Sequence, residues 1–466
     1  MNLTLNDLRA LPHSELRGGA GRGSRRFSGV STDSRTVAAG ELFVALRGER
    51  FDGHHFVPDA LARGARAAVV EPSFPFSGRE SVPHLVVEDT TTALGELALL
   101  YRKKFSIPVV AVAGSNGKTT TKEMIARVLA ERFRVLSTKG NLNNQVGVPR
   151  TIFRLRESHE IAVVEIGTNH PGEIGYLCRI LEPTHGVVTT IGKEHLEFFK
   201  TVNGVAREEG ALFAALAESA RSRAFVNADD SRVVRVARVV PRRTTYGLQS
   251  RSAAVQGKVL SADSAGCFSV AIRRRGAAHG VTVQLKIPGG HNALNALAAA
   301  TVGIGFGLPL VSVKRGLERC RPASKRMEVL RLNGLTVLND TYNANPDSMI
   351  AALRALSAAA VKGKRVAVLA DMLELGDSSQ AEHARVGREA AQLHVDYLLT
   401  YGTQAREIHR AAGLANAVHY EEKNVLAEYL AELVGPGDTV LVKGSRGMKM
   451  EDVVTFLTER RRRRPV

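Results

Sequence analysis

A chain of 466 residues, 44% of them hydrophobic, is too long for a single core, and at roughly 150 residues per domain it divides into about three. No apolar run approaches the ~18 residues of a membrane span, and the opening MNLTLNDLRALPHSELRGG lacks the basic-then-apolar order of a secretory signal, so no membrane insertion is expected and the chain reads as cytoplasmic. The net charge of +18 invites a nucleic acid, but aromatics are only 5%, tryptophan is absent and the basic runs RGGAGRGSRR and Arg460 to Arg464 carry no interleaved aromatics; no nucleic acid is expected, and the positive field suits an anionic substrate.

In chain order, residues 1–86 alternate short apolar runs with turns: RFSGVSTDSR, GELFVALRG, a helix-like FVPDALARGARAAVVE, then PHLVVED. That is the pattern of a small α/β domain. EDTTTALGELALLYRKKF has a Thr/Asp start and apolar positions at helical spacing, so a helix leads into a second domain, residues 87–321. Here the strand IPVVAVAG turns through SNGK into the helix TTTKEMIARVLAERF, and HEIAVVEIG, THGVVTTIG and SRAFVNADD follow as β-branched runs between helical patterns. Strands alternating with helices predict a doubly wound, largely parallel sheet. Residues 252–290 break the rhythm and read as an inserted antiparallel subsheet. From 322 to 466 the βα alternation resumes with GLTVLNDTY, KRVAVLADM, VDYLLTYG and DTVLVKGS as strands, a third, Rossmann-like domain. The predicted class is α/β in three domains. Cys178, Cys267 and Cys320 are widely spaced without a C-x-x-C pair, which indicates reduced, buried thiols and neither disulfides nor zinc.

The stretch VVAVAGSNGKTTTKEM, residues 109–124, is close to a phosphate-binding loop. A full loop reads G-x-x-x-x-G-K-[ST], yet Val112 stands where the first glycine belongs and the glycine is at Gly114. The context is right: a β-rich run, a glycine turn, then a helix. The N–H groups of Gly114, Ser115, Asn116 and Gly117 and the helix start at Lys118, Thr119 and Thr120 would face an anion. Lys118 would reach the outer phosphates, and Thr119 would offer its hydroxyl to Mg²⁺.

With its glycine at the shifted place, G-S-N-G-K-T resembles the ATP loop of the Mur ligases and their folylpolyglutamate synthetase relatives. STDSR, LRGERFDGHHF, KGNLNNQVGVP, EIGTNHPGEI, IGKEHLEFF, GGHNALNALAA, NDTYNANPDSM, ADMLELG and LVKGSRGMKMEDVV extend the resemblance over the whole chain in order. It implies ATP-dependent amide synthesis in peptidoglycan precursor assembly. The Y-N-A-N-P form points to members that join D-alanyl-D-alanine to UDP-N-acetylmuramoyl-tripeptide through an acyl phosphate; histidine-containing versions mark other amide ligases of this architecture. A monomer is the default.

The resemblance also implies residue roles. Glu165 would share Mg²⁺ with Thr119, and His195 would bind a second metal. Asn292 and Asn295 lie on the nucleotide side, or else cap a helix; Arg326 would reach the γ-phosphate; Asp340 and Asn343 would serve the ribose and phosphates, or form an Asx-rich turn before a helix capped near Asp347. Ser31, Thr32, Asp33, Ser34 and Arg35 match the UDP-sugar end, Asn141, Asn143 and Asn144 the muramoyl peptide, and Lys443, Ser445 and Arg446 the dipeptide end. One position departs. Many members carry a carbamylated lysine where this chain has Glu209. Either Glu209 supplies the negative charge directly, or Glu208 and Glu209 are an exposed helical pair.

Overall fold

A computed structural model describes residues 1–18, 26–48, 51–76, 82–263 and 266–463. Much of the first basic run, residues 19–25, and the last of the terminal arginines, Arg464, lie outside the described residues. The chain divides into two compact units, the first comprising 1–111, 133–168 and 172–185, the second 112–132, 169–171 and 186–466.

The first unit begins with β1 (Ser14–Arg17), β2 (Val30–Ser31), β3 (Leu42–Val44), β4 (Ala67–Val70) and β5 (His84–Val87) in the order β1-β5-β4-β3-β2, with only β1 antiparallel to its neighbour. The helix expected across FVPDALARGARAAVVE covers only Val57–Ala62. Gly64, at φ +94°, stops it, and the small and β-branched residues that follow become β4, buried on both faces. The helix Thr90–Arg102 starts where expected, with the Asp89 side chain accepting the Thr92 N–H. β6 (Val109–Ala113) runs from this unit into the next, and β7 (Val135–Ser137) pairs in parallel with β8 (Ile161–Glu165).

In the second unit, β9 (His185–Val188), β10 (Arg223–Asn227), β11 (Arg243–Gly247), β12 (Val255–Ala262), β13 (Cys267–Arg274) and β14 (Val281–Pro288) lie in the order β14-β13-β12-β11-β10-β9. The antiparallel strands β12 to β14 exist as expected, but they are no separate subsheet: β12 pairs in parallel with β11 and extends the same sheet. The loop helix Lys118–Leu129 packs on the helix His291–Gly305, and Gly303 permits the approach, since a Cβ there would lie 2.5 Å from Val128 Cγ1.

The last sheet contains β15 (Glu328–Leu332), β16 (Leu335–Asp340), β17 (Arg365–Ala370), β18 (Tyr397–Tyr401), β19 (Ala417–Tyr420) and β20 (Thr439–Lys443) in the order β15-β16-β20-β17-β18-β19, parallel except for β15. Alternate residues face opposite sides of a strand. Leu338, Ala367, Leu369, Leu398 and Leu441 therefore share a core with the helix Pro346–Ala358. Val337, Val366, Val368, Leu399, Val440 and Val442 share another with the helices Lys423–Leu433 and Glu451–Arg463. Both faces are covered, as near-continuous apolar strands require. The helix Pro346–Ala358 is capped by Asn345 with Ser348, near Asp347 as expected, and Pro346 takes the first helical position. Among the described residues no helix is long and apolar enough to cross a membrane.

Candidate active site

The turn after β6 is held in shape from the strand opposite. Gly114 (φ +117°) and Gly117 (φ +82°) take conformations that favour glycine. The Ser115 N–H donates to Thr190 O at 2.8 Å, Gly192 N–H to Ser115 Oγ at 2.8 Å, and Thr189 Oγ1 to Asn116 O at 2.6 Å. The shifted glycine now has a reason: a Cβ on Gly114 would stand 2.3 Å from Thr189 Oγ1 and 2.7 Å from the Thr189 nitrogen. Val112, at the place of the missing glycine, is a fully buried strand residue. Lys118 Nζ bends back to Gly114 O at 2.5 Å and approaches Glu194 Oε2 at 3.5 Å. Lys118 opens the helix, followed on it by the buried Thr119 and by Thr120.

Glu209 comes to the same loop. It has no solvent exposure, and its Oε2 accepts the Gly114 N–H at 2.7 Å. Glu208 is buried as well, so the exposed-pair alternative fails; the helix Val202–Ala217 turns both carboxylates inward. Burial first, then the charge of Glu194, pushes the Glu209 carboxyl well above the usual range, while Lys118 and the Gly114 N–H pull the other way.

His195 contacts Glu374 through Nδ1. Hydrogen bonding to His195 holds the Glu374 carboxyl below its usual range. Arg326 sits between two residues of positive φ, Lys325 and Met327, and its guanidinium carbon lies 3.7 Å from the centre of the Tyr342 ring. Asn292 and Asn295 are not caps. Gly290 takes that position, Asn292 Nδ2 donates to Pro288 O, and Asn295 Nδ2 donates to Asn292 Oδ1. Asn295 Oδ1 also lies 2.6 Å from where a Gly117 Cβ would be, which brings this pair beside the loop. Two groups of residues with separate expected roles meet here: Lys443 Nζ reaches Asp340 Oδ2 at 2.6 Å and Asn343 O at 2.8 Å, and Arg446 N–H reaches Asn343 Oδ1 at 3.2 Å. Ser445 Oγ donates to Ala344 O.

In the first unit, Arg35 forks onto Asp33, Nε to Oδ1 at 2.9 Å and Nη2 to Oδ2 at 2.7 Å. Ser31 Oγ donates to Asp33 O, Thr32 is half-buried between them, and Ser34 is buried. Asn143 Nδ2 donates to Glu165 Oε1 at 2.8 Å, the exposed Asn144 accepts Gly147 N–H through Oδ1, and the Asn141 carbonyl accepts Asn143 N–H.

The Mur ligase family matches three successive stretches: its catalytic domain at residues 26–102, the Mur ligase middle domain at 112–303 and the glutamate ligase domain at 325–446. The UDP-N-acetylmuramoyl-tripeptide–D-alanyl-D-alanine ligase of Escherichia coli is 37% identical over 462 residues, 98% of this chain and 99% of its own. The chain belongs to the Mur ligase family. A crystal structure of MurF from Acinetobacter baumannii is similar with a TM-score of 0.87 and 30% identity, over 98% of both chains. The MurF ligase of Thermotoga maritima in complex with ADP is similar with a TM-score of 0.83 and 28% identity, over 95% of this chain and 99% of that one.

This Mur ligase has functional candidates that sequence reasoning missed. Glu194 stands beside His195 in a motif already singled out, yet only the fold shows it facing Lys118 and Glu209. Thr189 and Thr190 shape the loop from a strand end without a motif of its own. Glu374 lies in ADMLELG, 179 residues from the histidine that it meets. Around the loop the donors are hard oxygens: besides the Thr119 hydroxyl, Glu194 and Glu209 each have one buried carboxylate oxygen with no hydrogen-bond partner among the described residues. Such donors fit Mg²⁺, which takes one or two protein oxygens and completes its shell with phosphate oxygens and water.

Proposed function

We propose that this Mur ligase joins D-alanyl-D-alanine to UDP-N-acetylmuramoyl-tripeptide with ATP, in peptidoglycan precursor synthesis. The observation that carries the reading is the 37% identity to the E. coli ligase of that name across 98% of the chain; the loop geometry at Gly114 to Thr119 supports it. The terminal carboxylate of the tripeptide attacks the γ-phosphorus of ATP, ADP leaves, and an acyl phosphate forms. The amine of D-alanyl-D-alanine then attacks the acyl carbon, loses a proton and expels phosphate, leaving an amide bond.

The protein's share in this chemistry is mainly positioning and charge compensation. The N–H groups of Gly114, Ser115 and Asn116 are already taken by Glu209, the Thr190 carbonyl and the Thr190 hydroxyl, so the Gly117 N–H and the helix start hold the β- and γ-phosphates. Lys118 has only to swing from Gly114 O toward the γ-phosphate, a small movement for a flexible side chain. Arg326, planar and preset by Tyr342, neutralises charge on the transferring group. Asn295 and Asn292 serve the nucleoside, and Asp340, Asn343, Lys443, Ser445 and Arg446 act as one polar cluster at the ATP and dipeptide end. Ser31 to Arg35 and Asn141, Asn143 and Asn144 serve the UDP-muramoyl substrate. Thr119 would hold Mg²⁺ and His195 a second metal ion, and these would supply charge neutralisation at the phosphates.

The test is phosphate release from ATP by the purified protein, given UDP-N-acetylmuramoyl-tripeptide and D-alanyl-D-alanine singly and together. Release that needs both, with the pentapeptide as product, is the expected result. Release driven by another amino acid, or by neither substrate, would overturn the reading.

A further inference from the structure

His195 Nδ1 and Glu374 Oε2 meet from segments far apart in sequence. Both residues have left-handed backbone, φ +46° and +63°, which side-chain-bearing residues adopt only where the surroundings impose it. Their segments are fastened elsewhere too. Glu197 N–H donates to Glu374 O at 3.1 Å. Gly376 packs so close that a Cβ there would lie 3.3 Å from the Glu197 Cα. On its other side the turn is anchored by Leu373 N–H to Ser445 Oγ at 2.9 Å and by the buried Leu375. Glu374 is thus presented to the imidazole by a turn fixed at both ends.

An ionised carboxylate only accepts hydrogen bonds, so the ring proton must be on Nδ1 and the Nε2 lone pair is left for another partner. Pairing a histidine with a carboxylate in this way fixes both tautomer and ring orientation. We propose that, given the role of His195 in the reading above, Glu374 is its positioning residue: the carboxylate holds Nδ1–H so that Nε2 faces the phosphate end of ATP and the divalent cation there. The contact also links ADMLELG and, through Ser445, the VKGSRG segment to His195, so residues at the proposed dipeptide end help to set the histidine.

The test uses the full-length protein with ¹⁵N-labelled histidine and the variants Glu374→Ala and Glu374→Gln. In the wild type the His195 nitrogen shifts are those of the Nδ1–H tautomer. Gln, which still offers an oxygen to Nδ1–H, retains that tautomer and most of kcat; Ala shifts the ring toward Nε2–H. Ala also weakens Mn²⁺ binding in the presence of ADP, read by electron paramagnetic resonance, and lowers kcat, each by roughly 10- to 100-fold, with KM for ATP little changed. An Nε2–H tautomer in the wild type overturns the proposal, and so does an Ala variant whose tautomer and Mn²⁺ affinity are unchanged, whatever its kcat. If the wild type fails to ligate the two substrates, the functional reading falls, while the tautomer measurements still decide whether Glu374 sets the ring.

Discussion

The buried carboxylate of Glu209 accepts the Gly114 backbone N–H at 2.7 Å, which ties the first glycine of the phosphate loop to a helix that begins 88 residues later in sequence. The side chain expected to stand near the metals therefore anchors the loop itself. Glu209→Ala leaves a buried N–H without its acceptor, at a cost of about 1–3 kcal/mol. The expected outcome is a lower unfolding midpoint together with weaker ATP binding, measured by denaturant titration and calorimetry. Since no carbamate can form on a glutamate, wild-type activity is expected to be the same in bicarbonate-free and bicarbonate-supplemented buffer. Full activity of Glu209→Ala would sink the loop-anchoring role.

Gly114→Ala tests why the glycine stands where it does. The added methyl would meet Thr189 Oγ1 at 2.3 Å, the Thr189 nitrogen at 2.7 Å and Thr190 O at 3.0 Å, and two of these are backbone atoms that cannot rotate away. The turn must shift, and a 1 Å misplacement of a positioning element costs about 10²-fold. The expected result is a loss of that order in kcat/KM for ATP, with far-ultraviolet circular dichroism unchanged. A variant with unaltered nucleotide kinetics would show that the loop has room that its geometry denies.

These two residues also mark what could be read from the chain. The strand, turn and helix around Gly114, Lys118 and Thr119 were legible because periodicity and glycine chemistry are local, and the same holds for the parallel sheet of the last 145 residues. Glu209 was legible only as a departure from a family pattern; that it is buried against Gly114 depends on how two distant segments pack. Glu194 and Glu374 carried no local signal, since a glutamate beside a histidine or in a loop is usually a solvated residue. The helix expected over residues 56–71 exceeds the one observed because apolar spacing in AAVV fits strand and helix alike, and only Gly64 separates them.

The Asp33–Arg35 fork makes a statement about pH. Hydrogen bonds from the Arg35 guanidinium, then from its N–H, hold the Asp33 carboxyl at about 2, below the ordinary 3.8. A depressed carboxyl contributes stability that is complete above its unfolded value and is lost as pH falls through its folded value. The effect is thus expected between about pH 4 and pH 2, and it is small because both side chains reach solvent. Side-chain carbon NMR should place the Asp33 midpoint near 2 and show it rising toward 3.8 in Arg35→Ala. A wild-type midpoint near 4 would mean that the fork does not persist in solution, and that Arg35 is free to meet an anion without breaking an ion pair.

Asn345 does two things that one substitution can separate. Its Oδ1 accepts Ser348 N–H at 2.9 Å, capping the helix Pro346–Ala358, while its Nδ2 donates to Asn116 Oδ1 at 3.0 Å, on the phosphate loop. Aspartate caps a helix as well as asparagine does, whereas alanine caps poorly, at a cost of about 1 kcal/mol. Asn345→Asp should therefore keep the wild-type unfolding free energy but lose the donor to Asn116, and in its place set a carboxylate against an amide oxygen close to where phosphates bind. Asn345→Ala should lose both the cap and the donor. The expected pattern is a raised KM for ATP in both variants, larger for Asp because of the added negative charge, with reduced stability only in Ala. If Asp matched the wild type in ATP kinetics, the contact between Asn345 and Asn116 would have no part in nucleotide binding, and Asn345 would be left with its helix-capping role alone.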